Sequence, residues 1–192
     1  MKKRDMAIKV FRVFLIALCA VIPSNLYAQS GRPFVPEDFQ VPEKLETERF
    51  RVRMLTVNDV VKDYDAVMTS VEHLRGVFGL RSTWPSPELT LEQDLIDLGW
   101  HQKEFQRRRS FAYTVMSPSE SLCLGCVYIV PTRKRGYDAE VFLWVRQSEF
   151  KNGLDAVLFG AVKSWVEKVW PFENVAYPGR EIDWKAWDDA PE

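Results

Sequence analysis

The stretch FKNGLDAVL, residues 150–158, combines a glycine with the start of a helix-like pattern, an arrangement that can hold an anion. The first N–H groups of a helix have no acceptor inside the helix, and the helix dipole adds positive charge there. Gly153 precedes this start and lets a phosphate approach the backbone. Asp155 brings a negative charge into the same turn, where with Asn152 it also fits an ordinary helix cap. The stretch predicts either an anion site with an opposing charge or a capped helix end.

Two cysteines three residues apart form a second group that can do chemistry. Cys123 and Cys126 lie in LCLGCVYIV, which is typical of a strand, and residues three apart in a regular strand face opposite sides. A bulge at Gly125 would bring both thiols to one face and allow a disulfide in an oxidising compartment. Two ordinary buried thiols are the prediction, with a disulfide and a zinc or redox site as the alternatives; no metal ligands are assigned.

Composition and charge are those of one folded domain. The chain has 192 residues, of which 46% are hydrophobic and 13% aromatic, enough to fill a single core. Residues 1–28 hold five basic residues and one acidic residue, which leaves 21 basic and 26 acidic residues in the rest. Such an acidic body gives no electrostatic basis for a nucleic-acid partner, and none is predicted.

The N-terminus, residues 1–28, has the pattern of a secretory signal. A basic segment precedes the apolar run VFLIALCAVI at residues 13–22, and small residues follow near Ala28. Ten apolar residues are too few for a bilayer-spanning helix, which takes about 20, so no stable membrane span is predicted. We expect an exported, periplasmic protein; the alternative is an amphipathic extension on a cytoplasmic one.

The remaining chain divides into three segments. Residues 29–48 hold three prolines and predict an extended arm, residues 49–180 a single domain, and residues 181–192 an acidic, tryptophan-containing tail. RFRVRM at residues 49–54 alternates strictly between basic and apolar side chains and predicts a half-buried strand. Apolar residues at steps of three, four or seven predict three helices. Their buried stripes are Val60, Tyr64, Val67, Val71 and Leu74; Leu91, Leu95, Leu98 and Phe105; and Leu154, Leu158, Ala161 and Trp165.

Between the second and third helices, the runs SFAYTVM, CLGCVYIV and DAEVFLWV are separated by turn-like segments and predict an antiparallel meander. ENVAY, after the third helix, predicts a short last strand. The predicted order is therefore strand, helix, helix, three strands, helix, strand.

This order and two stretches of sequence resemble the GCN5-related N-acetyltransferase (GNAT) superfamily. LETERFRVRMLTVNDVVKDY looks like the family's opening strand and helix, and FAYTVM, CLGCVYIVP and DAEVFLWV look like its central meander. The resemblance covers roughly residues 45–180. It implies an α/β (α+β) fold with a mixed, mostly antiparallel sheet flanked by helices, shortened here at the C-terminus. It also implies acetyl-CoA as co-substrate and a small-molecule or peptide amine as acceptor.

The resemblance places functional residues in this sequence. In the family, the pantetheine of acetyl-CoA fills the splay beside the strand before the third helix, and its pyrophosphate rests on N–H groups at that helix start. A carboxylate on the same strand often acts as general base, which corresponds here to Glu140. The implied cofactor-binding residues are Val145, Arg146, Lys151, Asn152, Gly153 and Leu154.

The phosphate loop departs from the family pattern of Gln or Arg, two residues, Gly, one residue, then Gly or Ala. Gly153 matches the first glycine, whereas Phe150 and Asp155 replace the residues on either side. Like charges about 4 Å apart repel by roughly 4 kcal/mol at an effective dielectric constant of about 20. Two hypotheses follow: an acyl-CoA-dependent N-acetyltransferase, impaired to the extent that Asp155 repels the cofactor, and an exported non-catalytic binding module on the same scaffold.

Overall fold

The computed structural model of the chain describes residues 33–192, so the signal-like residues 1–28 lie outside the described residues. Its six strands form one sheet in sequence order. The strands are β1 (Lys44–Glu46), β2 (Arg51–Met54), β3 (Phe111–Met116), β4 (Cys123–Val130), β5 (Ala139–Val145) and β6 (Val175–Ala176). The helices are α1 (Val60–Met68), α2 (Val71–Leu74), α3 (Leu91–Gln106), α4 (Gln147–Lys151), α5 (Leu154–Val169) and α6 (Trp184–Asp189). None of the helices between residues 33 and 192 has the length and apolarity that a bilayer crossing requires.

The sheet separates two apolar layers. On one face, α5 packs its residues Leu154, Leu158 and Trp165 against the alternate β5 residues that include Val141 and Leu143. On the other face, α1, α2 and α3 cover the opposite side of β4 and β5; this layer contains Leu74, Leu98, Tyr128, Phe142 and Trp144. Because strand residues alternate between faces, each β5 side chain belongs to one layer or the other.

The pairing of the last two strands shapes the edge of the sheet. β1 to β5 pair antiparallel, whereas β5 pairs with β6 in parallel, through Ala139 with Val175 and Glu140 with Ala176. β6 then ends, and the chain turns at Pro178 and Gly179 toward α6. Among the described residues, the β5 edge beyond Glu140 therefore has no β6 partner, which leaves a cleft between β5 and the segment that follows β6.

The predicted fold class is confirmed: the sheet is mixed and mostly antiparallel, and the predicted elements occur in the predicted order. Two further elements occur at the ends. β1 lies within the proline-containing residues 29–48 and pairs with β2, and α6 lies within residues 181–192, where Trp187 is buried. The first predicted helix is divided into α1 and α2 near Ser70.

The predicted buried stripe of α3 is wrong in its first half. Leu91 and Leu95 are each 43% exposed, whereas Asp94, Leu98 and Glu104 are the buried residues of this helix. Thr90 caps the start of α3, since its side chain accepts from the Gln93 N–H. The helix therefore turns a carboxylate, rather than a leucine, toward the interior.

Candidate functional site

The cleft beside β5 is a cavity of about 290 Å³, near the lower end for small-molecule sites. Its walls are the end of β5, the residues from His73 to Val77, the start of α5 and the segment from Pro178 to Arg180. Gly179 has φ 75°, and a side chain there would collide with the Trp184 ring. The segment after β6 is thus packed against α6 and forms a defined wall.

Arg180 crosses this cleft. Its guanidinium binds both oxygens of the Asp155 carboxylate, with Nη1–Oδ2 at 3.0 Å and Nη2–Oδ1 at 2.7 Å. Nη2 also donates to the carbonyl of Leu143 on the β5 edge, at 3.2 Å. The repulsion predicted from the sequence assumed an unpaired Asp155, whereas the structure gives this carboxylate a bidentate cationic partner. The net charge of the pair is zero, so Asp155 repels an anion at the start of α5 less strongly than the sequence alone indicated.

His73 occupies the other end of the same edge. Its Nε2 lies 3.1 Å from the carbonyl oxygen of Val145, which accepts the bond. The Phe150 ring packs on the imidazole with centroids 4.6 Å apart. Arg180 and His73 thus hold two β5 carbonyls, those of Leu143 and Val145, that face the cleft.

The start of α5 has the backbone shape predicted for an anion site. Gly153 adopts the left-handed conformation with φ 72°, and open space surrounds the position of a Cβ there. Lys151 and Asn152 are exposed beside it, and Leu154 is buried beneath the helix. An α5 of 16 residues supplies the full dipole at this end.

Arg146, by contrast, points away from the cleft. It is buried, with Nη1 donating to the Cys123 carbonyl at 3.3 Å and Nη2 3.0 Å from both Thr69 Oγ1 and Asp65 Oδ2. Of the six predicted cofactor residues, only Val145 lines the cleft. Arg146 holds α1 to the sheet and lines, with Lys151 and Asn152, a separate cavity of about 370 Å³, and Gly153 and Leu154 lie at the start of α5.

A second cavity, of about 430 Å³, lies on the face of the sheet that α1, α2 and α3 cover, between α1, α3 and β4. Three carboxylates line it: Asp63 from α1, and Asp94 and Asp97 from α3. Asp63 and Asp94 are buried, with Asp94 5% exposed, and the Asp94 Oδ2 atom has no hydrogen-bond partner. Within residues 33–192, none of the three forms an ion pair. We call this space the acidic pocket.

The acidic pocket shifts the ionisation of the groups around it. Burial, reinforced by the charges of Asp63 and Asp97, raises the pKa of Asp94 to about 7. Burial also raises the pKa of Asp97. His101 faces the same space, and burial lowers its pKa to about 4, so the imidazole is neutral at pH 7. The pocket holds negative charge without an internal cation to balance it.

Aromatic rings form the remaining walls of the acidic pocket. Phe78 contacts Trp84, Tyr128 and Phe142 with ring centroids 4.9–5.7 Å apart. Trp100 and His101 pack together at 5.0 Å. Carboxylates among aromatic faces attract an organic cation by charge and by the ring quadrupoles. The residues therefore suit a protonated amine.

The cleft and the acidic pocket meet at Phe142, whose side chain lines both. Glu140, the predicted general base, lies two residues earlier on the same face of β5, where the sheet is still paired to β6. Burial raises the pKa of Glu140, while hydrogen bonds from Thr132 and Trp187 and the charge of Lys134 oppose the rise. It contacts α6 and the loop after β4 rather than either cavity wall.

Sequence reasoning assigned no role to Arg180, Asp94, Asp97 or His101. The structure shows His101 half-buried against Tyr128, with centroids 5.2 Å apart. Asp94 and His101 are seven residues apart, which is two helical turns, and so share one face of α3. This seven-residue spacing was the one feature of the sequence that indicated the proximity of Asp94 and His101.

Solved structures described as acetyltransferases are similar to this chain. The ribosomal-protein-S5-alanine acetyltransferase from Vibrio fischeri is 16% identical, with a TM-score of 0.54 over 66% of this chain and 68% of that one. A protein from Bordetella pertussis assigned to the GNAT-family acetyltransferases is 15% identical, with a TM-score of 0.53 over 71% and 78%. A ribosomal L7/L12 alpha-N-protein acetyltransferase, solved in complex with coenzyme A, is 13% identical, with a TM-score of 0.53 over 66% and 68%.

No protein-family model matches this sequence, and no curated protein sequence is similar to it. The structural similarities nevertheless extend over about two thirds of the chain. The chain therefore has the GNAT fold.

Proposed function

We propose that this GNAT-fold chain is an acetyl-CoA-dependent N-acetyltransferase whose acceptor is a positively charged amine. The observation that carries the proposal is the meeting of the cleft and the acidic pocket at Phe142. A two-substrate transfer needs two ligands that meet at one point, and the two cavities share Phe142 of β5. One space ends at a helix start suited to phosphate, and the other holds unpaired carboxylates suited to an ammonium group.

On the cofactor side, the first N–H groups of α5, beginning at Leu154, would hold the diphosphate, because the N–H groups of Asn152 and Gly153 already donate to the carbonyls of Glu149 and Phe150. The β5 edge would hold the pantetheine. The open space at Gly153 fits this role, because backbone can approach a phosphate there. Arg180 must leave the Leu143 carbonyl to free the edge, after which its guanidinium is available to phosphate oxygens. Bound acetyl-CoA would supply an acetyl group activated as a thioester.

On the acceptor side, the acidic pocket would bind the ammonium group and take up its proton. Asp94 suits this task, because an unpaired oxygen and a pKa of about 7 allow it to accept a proton near neutral pH. Glu140, the general base that the family resemblance implies, lies two residues before Phe142 on the same face of β5 but lines neither cavity, so we assign the proton to Asp94. Deprotonation would expose the amine lone pair for attack on the acetyl carbonyl; the C–N bond forms as the C–S bond of the thioester breaks, and coenzyme A leaves as a thiol with the second amine proton.

A calorimetric titration of the chain with acetyl-CoA tests the cofactor half of the proposal. We expect saturable binding and a rise in melting temperature with millimolar ligand. Dephosphorylated acetyl-pantetheine serves as a matched ligand that lacks the diphosphate, and it should bind more weakly. An unchanged melting temperature at millimolar acetyl-CoA would contradict the proposal.

A second titration tests the acceptor half. Putrescine carries two ammonium groups, whereas butanediol has the same carbon length without charge, so only putrescine should bind the acidic pocket. Asp94→Asn should weaken putrescine binding by about tenfold, and Asp38→Asn, an exposed carboxylate elsewhere, should leave it unchanged. Equal binding of the diol and the diamine would show that charge does not select the acceptor.

The second candidate function, a non-catalytic binding module, is favoured by one specific observation. Arg180 and His73 already occupy the Leu143 and Val145 carbonyls of the edge that pantetheine would need. In this reading the acidic pocket binds a cationic ligand, and the filled cleft binds nothing. Putrescine binding together with no response to acetyl-CoA would support the module and exclude the transferase.

A further inference from the structure

The two cysteines of β4 face the same side of the sheet because the strand carries a bulge. Val115 of β3 pairs with Gly125, but its neighbour Met116 pairs with Cys123, so Leu124 is passed over. Cys123 and Cys126 consequently both lie in the layer beneath α1, whereas Leu124 lies in the layer beneath α5. A side chain at Gly125 would collide with the backbone of Trp144. Glycine thus permits the bulge that brings the two thiols together.

Asp63 of α1 lies directly over both sulfur atoms. Its Oδ1 is 3.2 Å from the Cys126 Sγ and 3.8 Å from the Cys123 Sγ. The three ligand atoms lie within 4.8 Å of one another, and all three residues are buried. Both cysteines are free thiols, so the alternative of a disulfide is not the arrangement in this structure.

The spacing of these three atoms is close to that of a metal centre. Tetrahedral Zn²⁺ with Zn–S bonds of about 2.3 Å and a Zn–O bond of about 2.1 Å needs S–S and S–O separations of about 3.8 and 3.6 Å. The measured O–S distances of 3.2 and 3.8 Å bracket the second value. The two Sγ atoms lie within 4.8 Å of each other, so they must approach by at most about 1 Å for all three atoms to surround one ion.

We infer that Asp63, Cys123 and Cys126 form a binding site for a thiophilic divalent cation, represented by Zn²⁺. Two thiolates and a carboxylate are a donor set that zinc accepts, and no lysine, arginine or histidine of the described residues pairs with Asp63. Asp63 also lines the acidic pocket, which gives an ion a path from solvent. The fourth coordination position faces that pocket and is open to water or to a ligand held there.

Cobalt substitution tests the site directly. The reduced full chain, titrated with Co²⁺ as the spectroscopic probe, should bind one equivalent and show thiolate-to-cobalt charge-transfer bands together with intense tetrahedral d–d bands. Zn²⁺ should displace the cobalt, raise the melting temperature and slow alkylation of both thiols. The site does not depend on the proposed transferase activity, because metal binding is measured without acetyl-CoA or an acceptor.

Three variants identify the ligands. Cys126→Ser and Asp63→Asn should each weaken Zn²⁺ binding by about 100-fold, measured by competition with a chromophoric chelator. Cys19→Ser removes the third cysteine of the chain, and Asp38→Asn changes an exposed carboxylate outside the pocket; both should retain binding. Asp63→Asn keeps the size of the side chain, so it remains informative should Cys126→Ser fail to fold.

The opposite results are equally defined. A cobalt spectrum without thiolate bands, or Zn²⁺ affinity that survives both Cys126→Ser and Asp63→Asn, would overturn the inference. The cluster would then be a set of S–H···O hydrogen bonds that satisfy a buried carboxylate.

Discussion

The cleft at the edge of β5 and the acidic pocket between α1, α3 and β4 differ in how their charged groups are paired. In the cleft, Asp155 is paired with Arg180, and the β5 carbonyls are bonded by Arg180 and His73. In the acidic pocket, Asp94 has an oxygen without a partner, and its neighbours Asp63 and Asp97 form no ion pair within residues 33–192. A ligand of the cleft must replace internal contacts, whereas a ligand of the pocket supplies a missing one. This difference indicates that the acidic pocket can bind a ligand without first breaking an internal contact, whereas the cleft cannot.

The largest effect is expected from removing the contact that crosses the cleft. Arg180→Ala should lower the free energy of unfolding by about 2 kcal/mol, because the half-buried Asp155 loses a bidentate, charge-assisted partner. Urea denaturation measures this change. Lys163→Ala, which breaks the exposed pair with Glu181, is the matched control and should have a much smaller effect. Equal losses in the two variants would mean that Arg180 does not hold the cleft closed.

The next effect concerns Asp94, whose ordinary pKa of 3.8 is raised to about 7 in the fold. A folded-state pKa above the unfolded one means that this group's stabilising contribution is present below pH 4 and is lost as pH rises to about 7. Asp94→Asn should therefore be more stable than the natural chain at pH 7, with a difference that grows between pH 4 and pH 7.

Thermal unfolding at a series of pH values measures this difference, and Asp38→Asn is the exposed control. A constant difference between Asp94→Asn and the natural chain across the series would contradict the raised pKa. The pocket would then have a balancing cation of its own.

A smaller effect is expected for acetyl-CoA affinity in Asp155→Asn. The substitution removes a negative charge at the start of α5 and releases Arg180 toward a phosphate, so binding should tighten by about tenfold. Glu149→Gln, on the adjacent helix α4 and outside the cleft, should leave the affinity unchanged. Weaker binding in Asp155→Asn would instead show that the carboxylate positions Arg180 for the cofactor. Calorimetry measures both variants.

The smallest effect is expected at the outer wall of the acidic pocket. Trp100 is 51% exposed, so Trp100→Ala should leave stability nearly unchanged but weaken putrescine binding by about threefold through a lost cation–π contact. Ile96→Ala, on the same helix but outside the pocket, is the control for both measurements. Identical putrescine affinity in the two variants would show that Trp100 does not contribute to recognition of the cation.

The fold was predictable because its elements are long or strongly periodic. The alternation at Phe50 and Val52 and the helical steps from Leu154 to Trp165 correspond to buried residues in the structure. β1 was not predicted, since three residues among prolines carry no readable period. The stripe through Leu91 and Leu95 was wrong, because counting apolar residues cannot reveal a helix that turns a carboxylate inward.

The candidate site was predictable only where local pattern defines it. Gly153 and the start of α5 follow from a glycine before a helical period. Arg180 lies 25 residues from Asp155, and their pairing depends on how the chain leaves β6, which no local pattern reports. The bulge was foreseen as the condition for joining Cys123 and Cys126, but Asp63 reaches them only through the packing of α1 on the sheet.

Phe142 gives the two cavities a shared wall, and this has a thermodynamic consequence. A ligand on one side that shifts the ring changes the space available on the other, so the two binding free energies are coupled. The coupling is reciprocal: if acetyl-CoA strengthens the binding of an amine, the amine strengthens the binding of acetyl-CoA by the same factor. One aromatic ring would thereby make each substrate an effector of the other.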